Sequence, residues 1–358
     1  MKRLLAGLLC LWAFPAFATT AIAPNNAGLW YSPAVWNIGS TDAFAVNSGA
    51  RMRTLALTTT TAVLNFTVTN QPSPAAELWW QVDGLGWNQA TIAATVTLTI
   101  PSVVSAYQGH VIEFEIKSTT ETANRWTNSG TWTGVDFTGL TLDTGATVTL
   151  PTMAPKTVCM FGDSITEGVR TLNDTSTNDT DRNDGQTSYD EQMAPYLNAN
   201  IVNIGFGGQG WTVTGSGSVP ALPSSWNLIY SGVSRSLSGC SLVAVNMGTN
   251  DGATNSTSAV TSFLNGVGAA YSGTILLLEP FSSTIGPEQL PFLTAGAAAS
   301  TYAARVGVLS TAGLFNATYS SDSMHSYGFQ NIATLGPATA ALLLPFLNTG
   351  GLYGAVLP

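Results

Sequence analysis

The hydrophobic pattern of the chain changes period once, between Thr147 and Lys156, and that change requires two folds in series. From about Ala27 to Leu150 apolar and polar residues alternate: Arg51 to Thr58, Ala62 to Thr69, Glu77 to Asp83, Ala93 to Ile100 and His110 to Lys117 each put every second side chain on one face. Gly, Pro, Asn and Ser separate these runs, and no stretch has a helical period. Many short strands without helices predict an all-β sandwich, most simply a jelly roll, over residues 24–150. After Pro151 and Pro155 the order becomes strand then helix, which predicts a three-layer α/β/α sandwich on a parallel sheet, flavodoxin-like, over residues 151–358.

In this second part the strands are expected at Val158 to Phe161, Ile201 to Ile204, Leu242 to Met247 and Thr274 to Leu278. Helices are expected at Tyr189 to Leu197 and Ala259 to Tyr271, while Gly336, Pro337 and Pro345 should break the apolar run from Phe329 to Leu347. Asn173 to Gly185 has no apolar periodicity and reads as a solvated loop. Asp179, Asp181 and Asn183 within it lack the glycine position and the closing Glu of a calcium loop.

The first strand runs into Gly162-Asp163-Ser164 and a helix start, so a hydroxyl stands at the carboxyl end of a strand, where open α/β sheets build their sites. A serine needs a base within hydrogen-bond reach. Of the two histidines, His110 lies in an alternating strand and reads as structural, whereas His325 closes Asp322-Ser323-Met324-His325, a spacing that sets a carboxylate beside the imidazole. Asn203-Ile204-Gly205-Phe206-Gly207-Gly208 and Gly248-Thr249-Asn250-Asp251 each follow an apolar run. They offer a backbone N–H at a glycine turn and a side-chain amide, the donors an oxyanion needs. Asp163 reads as shaping the turn after its strand, and Asp251 as a helix cap.

These four blocks, in this order, resemble the SGNH (GDSL) hydrolase superfamily from about Thr157 to Leu347. The resemblance implies that Ser164 is the nucleophile, His325 the base and Asp322 its partner. It also implies an oxyanion hole of the Ser164 and Gly208 N–H groups and the Asn250 amide, with no metal and no cofactor. The two-domain order, with Val82-Asp83-Gly84, Gly109-His110-Val111, Lys117 and Glu121 ahead of the serine, is similar to the family-2 carbohydrate esterases, which remove acetyl groups from xylan and related glycans. Some of those esterases use a Ser–His pair alone, whereas Asp322 here fits the triad of the broader superfamily. His325 is followed by Ser326 where the superfamily usually has proline. The expected function is an exported carbohydrate O-acetylesterase acting on an acetylated polysaccharide or another ester. The rivals are an O-acetyltransferase, a lipid or aryl esterase, and a non-catalytic glycan-binding protein. Trp211 and Trp226 are candidates for stacking on sugar.

Export is read from residues 1–23: Met1-Lys2-Arg3 is basic, Leu4 to Phe14 apolar, and Ala16-Phe17-Ala18 a cleavage signal, with Ala21-Ile22-Ala23 as a second. The apolar stretch is too short to span a bilayer, and Leu9-Cys10 lacks the small residue that precedes a lipidated cysteine. A soluble monomer, periplasmic or extracellular, is expected. Loss of Lys2 and Arg3 leaves 9 basic against 20 acidic side chains, a net charge of −11, which repels nucleic acid and anionic lipid. With Cys10 gone, Cys159 and Cys240 remain. Counted along extended neighbouring strands they are staggered by roughly 15 Å, so two buried thiols are expected instead of a disulfide.

Overall fold

The computed structural model describes residues 19–69, 71–100, 109–127, 133–172, 175–320 and 322–349. Two antiparallel sheets of six strands pack face to face in the first part. One runs Asn37–Ile38, Ala43–Ala45, Val135–Asp143, Ala62–Thr67, Thr95–Leu98, with Thr19–Ile22 as sixth strand on Val135–Asp143; the other runs Thr147–Thr149, Arg51–Leu57, His110–Ser118, Glu77–Val82, Asn88–Thr91, with Leu29–Tyr31 as sixth strand on Arg51–Leu57. Alternation is what closes them on each other. Phe66 and Phe137 from one sheet meet Phe114 from the other with ring centroids 5.0–5.7 Å apart, all three almost fully buried. Burying such a ring stabilises by about 2–3 kcal/mol.

Residues 1–18, with Cys10 and the expected cleavage signal Ala16-Phe17-Ala18, lie outside the described residues. Thr19–Ile22, which falls within the expected 23-residue leader, forms a strand paired with Leu140 to Asp143.

The polar face of His110–Ser118 carries Glu113, Glu115 and Lys117, and it is buried as completely as the apolar one. Glu113 is covered from within the sandwich by Arg51, Arg53 and Gln81, whereas the second domain reaches Glu115 and Lys117. Arg51 joins Glu115 to Glu191 of that domain (3.0 Å to Glu191), and Lys117 Nζ donates to the carbonyls of Thr180 and Asn183. These contacts order the stretch read as a solvated loop: Asp179–Arg182 is one helical turn closed by an Arg182–Asp179 ion pair at 2.6 Å, and Asp179 and Asn183 are buried. Burial pushes Glu115 and Asp190 each up to about 7.

The second domain has a five-stranded parallel sheet in the order Ala199–Gly205, Lys156–Gly162, Leu242–Asn246, Ile275–Leu278, Val306–Leu309. Numbered along the chain this is 2-1-3-4-5, the flavodoxin order, whose switch point lies where strands 1 and 3 part. Cys159 and Phe161 pack under the helices Thr257–Ala270 and Ile285–Ala299, and Val158 and Met160 under Gly336–Thr349 on the opposite face. Tyr189 to Leu197 is a 3-10 turn and a single α turn, with Pro195 in the latter. Phe329 to Leu347 stays helical through a π-turn at Asn331–Leu335, with Pro345 inside the last helix. Among the described residues no helix is long and apolar enough to cross a membrane.

Cys159 and Cys240 are joined as a disulfide, with Cα atoms 5.7 Å apart, against the expectation of free thiols. The stagger holds only if Gly162 is level with Gly248 and the chain stays extended up to Cys240, whereas Gly162 pairs with Asn246. The strand begins at Leu242, and before it the chain turns, with Cys240 N–H donating to Leu237 O and Ser241 N–H to Thr157 O, which folds Cys240 back over Cys159.

Candidate active site

Ser164 is presented by a turn that leaves no room for a larger residue before it. A Cβ on Gly162 would stand 1.9 Å from Thr166 Oγ1 and 3.0 Å from the Asn246 carbonyl, so the helix Ser164–Glu167 can fold directly over the strand end only with glycine there. Asp163 caps this helix, its Oδ1 accepting from Ile165 N–H at 3.0 Å, as the turn-shaping reading expects. Burial pushes Asp163 up to about 6. The Ser164 N–H, first in its helix, has no intrahelical partner.

His325 Nε2 lies 2.7 Å from Ser164 Oγ, and Nδ1 lies 2.6 Å from Asp322 Oδ2. Asp322 is fixed from its other side: Oδ1 accepts the N–H groups of His325 (2.8 Å) and Met324 (3.0 Å) and the hydroxyl of Ser320 (2.9 Å). Partial burial works to raise the carboxyl, but the hydrogen bonds from the His325 ring and N–H prevail and hold it well below the usual carboxylate range. Sequence reasoning missed one partner, Arg170, whose Nη1 donates to Asp322 Oδ2 at 2.7 Å.

Gly208 has φ +69, and a Cβ there would press on Ser216 at 3.1 Å, so the turn favours glycine twice over. The Asn250 amide donates one N–H to Gln209 O at 2.8 Å, which fixes its plane and leaves the second N–H for a ligand. Ser164, His325, Gly208 and Asn250 line one cavity of about 330 Å³, together with Arg170 and with Glu121 from the sandwich. The structure thus brings together all five residues singled out from the four blocks. What they can do chemically is take a proton from a hydroxyl and meet a developing oxyanion with several donors.

Three other readings are corrected. Trp211 is 1% exposed, donates Nε1–H to Met247 O at 3.0 Å and stands edge-on to Phe263, so it is a core residue with no face for a sugar. Trp226 packs on the same Phe263 and over Gly266, and does not line the cavity of Ser164. Asp251 caps no helix but accepts the N–H groups of Trp211 and Thr212, each at 2.8 Å, tying the second block to the third. His110 is buried and its Nδ1 pairs with Asp83 at 2.7 Å within the sandwich. Among the described residues no group of three or more His, Cys, Asp or Glu is arranged to hold a metal.

Residues 158–316 match the family model of the GDSL-like lipases and acylhydrolases. No curated protein sequence matches the chain. Solved structures similar to it include a family two carbohydrate esterase from Cellvibrio japonicus, at 17% identity and TM-score 0.73, covering 92% of this chain and 98% of that one. An acetyl xylan esterase from the rumen bacterium Butyrivibrio proteoclasticus, at 12% identity and TM-score 0.72, covers 92% and 99%. A salicylyl-acyltransferase from a tetracycline biosynthetic pathway, at 13% identity and TM-score 0.62, covers 91% and 99%. At these identities the likeness is one of fold, and it spans both domains.

Proposed function

We propose that this chain, an ester hydrolase by its GDSL-like lipase/acylhydrolase domain, removes O-acetyl groups from a polysaccharide through a covalent acyl-serine. The observation that carries this reading is the unbroken hydrogen-bonded line from Ser164 Oγ through His325 to Asp322, opening into the cavity that Gly208 and Asn250 also line.

His325 Nε2 takes the proton of Ser164 as Oγ attacks the ester carbonyl. The negative oxygen is met by the N–H groups of Ser164 and Gly208 and by the free N–H of Asn250, while ionised Asp322 stabilises the imidazolium. The imidazolium then gives its proton to the departing sugar oxygen, leaving acetyl-Ser164. Water, deprotonated by His325, attacks the acyl carbon and restores the serine, and acetate leaves. No step calls on a metal or cofactor.

Acetyl esters of glycans are favoured as substrates by the likeness across both domains to carbohydrate esterases. The similarity in fold to a salicylyl-acyltransferase makes transfer to a second alcohol the competing outcome. Export is supported by the basic-then-apolar start of the chain, and a cut after Ala18 leaves the strand Thr19–Ile22 intact.

The test is acetate release from a panel of acetylated polysaccharides, set beside aryl acetates and longer acyl esters, with Ser164→Ala as control. Polysaccharide deacetylation by wild type alone supports the reading. Preference for long acyl chains, or transfer to an added sugar faster than hydrolysis, would replace it.

A further inference from the structure

Between the strands His110–Ser118 and Val135–Asp143 the chain leaves the sandwich and reaches the turn that holds Gly208. Arg125 on this excursion is fully buried, and its guanidinium grips both oxygens of Glu167, Nη1 on Oε1 and Nη2 on Oε2 at 3.0 Å. Glu167 closes the short helix that Ser164 opens. Its Oε2 also accepts the N–H of Gly207 at 2.5 Å. The same guanidinium lies over the Phe206 ring, 5.2 Å from its centroid, and Nε donates to Ser216 O at 3.4 Å. Ser216 N–H in turn donates to Gly207 O at 2.7 Å.

The direction of the Gly208 N–H follows from these bonds. A trans peptide points its N–H opposite to its C=O. The unit linking Gly207 to Gly208 has its carbonyl held by Ser216 and its preceding N–H held by Glu167, so the Gly208 N–H is turned outward. It makes no hydrogen bond of its own among the described residues, and Gly208 lines the cavity with Ser164. A bond from an N–H to an ionised carboxylate is about twice as strong as a neutral one, but a buried carboxylate persists only if a cation balances it. Arg125 is that cation.

We propose that Arg125 is a positioning residue for the esterase reaction: acting through Glu167, it fixes the Gly207–Gly208 peptide so that its N–H meets the oxyanion. The sandwich is then a working part of the catalytic apparatus. This rests on the acyl-serine reading above.

The test uses the full chain with Arg125→Lys, Arg125→Ala and Glu167→Gln, and counts reactive serines by the end point of a fluorophosphonate so that misfolded protein drops out. A misplaced donor costs up to about 10²-fold in rate. We therefore expect kcat per reactive serine on an aryl acetate to fall about 10-fold in Arg125→Lys and Glu167→Gln and about 10²-fold in Arg125→Ala, with KM within about twofold. Affinity for a trifluoromethyl ketone, which closes on serine as an oxyanion, should fall by the same factors. A purely structural Arg125 would lower the count of reactive serines and leave these ratios alone. If Arg125→Ala does not fold, the other two variants decide, and kcat per reactive serine within about twofold of wild type in both overturns the proposal. An active Ser164→Ala would instead overturn the acyl-serine reading itself.

Discussion

Replacement of Asp322 by asparagine is the sharpest probe of the site, because each oxygen of this carboxylate has a different duty. Oδ1 accepts from His325 N–H, Met324 N–H and Ser320 Oγ; Oδ2 accepts from His325 Nδ1 and Arg170 Nη1. An asparagine amide can keep one set only. Placing its NH2 at the Oδ1 position sets it against three donors, and placing it at Oδ2 sets it against two. The second arrangement costs less, since each opposed buried donor forfeits about 1–3 kcal/mol. It has a chemical consequence: Nδ1 must then accept from the amide, the ring proton moves to Nε2, and His325 can no longer take a proton from Ser164 2.7 Å away. The expected loss is up to about 10⁴-fold in kcat, near 5 kcal/mol of transition-state stabilisation. Folding should hardly change, because the three Oδ1 contacts survive and the Arg170 pair is partly exposed, worth under about 1 kcal/mol. The assay is aryl acetate hydrolysis with thermal unfolding measured in parallel. A fall in kcat of less than about tenfold, with Ser164 and His325 still indispensable, would refute the reasoning and leave a Ser–His pair with some other group holding the ring.

Other consequences can be checked directly. Asn250→Ala should lower kcat by roughly 10²–10³-fold with little change in KM, and a loss carried by KM would make Asn250 a ground-state contact. Cys159→Ala with Cys240→Ala opens a crosslink between residues 81 apart and should cost about 2–5 kcal/mol in urea unfolding while activity at 25 °C persists; unchanged stability would mean that the bond does not form in solution. Stability should fall as pH rises. Asp190 keeps its proton in the folded protein up to about pH 7 but loses it near the usual carboxylate range once unfolded, so its contribution is whole below that range and is lost through about 7. Asp322, held low, acts in the opposite sense only below the usual range. The unfolding temperature should therefore be higher at pH 5.5 than at pH 8, and the reverse order would mean that Asp190 is ionised throughout.

What was legible in the sequence was local. Period-two alternation put Ile112, Phe114 and Ile116 on one face, and the sandwich core is built there. Strand-then-helix order implied a parallel sheet, and a serine at a strand end implied a site at the carboxyl ends of the strands, where Ser164 and Asn250 now line one cavity. The misreadings concern what covers a residue from far along the chain. Trp211 has the composition of a sugar platform, but nothing near it in sequence announces that Phe263 and the Met247 carbonyl will enclose it. Cys240 was placed by counting an extended chain from level glycines, and the strand register with a turn two residues before the strand undid the count.

The same reasoning explains why the sandwich's part in the site could not be read. Alternation says which side chains share a face and is silent on whether water or another domain meets it. Glu113, Glu115 and Lys117 alternate as a solvated face would, yet all three are buried, and the ion pair between Glu115 and Arg51 extends to Glu191 of the second domain. Burying so many charges is costly unless each is paired, and a hydrophobic interface of the same size would hold the domains together with less. What pairing adds is direction, since a two-toothed guanidinium–carboxylate contact fixes angle as well as distance. Where that geometry reaches Glu167 and Gly207, fixed direction is the property an oxyanion donor needs, and a greasy contact could not supply it.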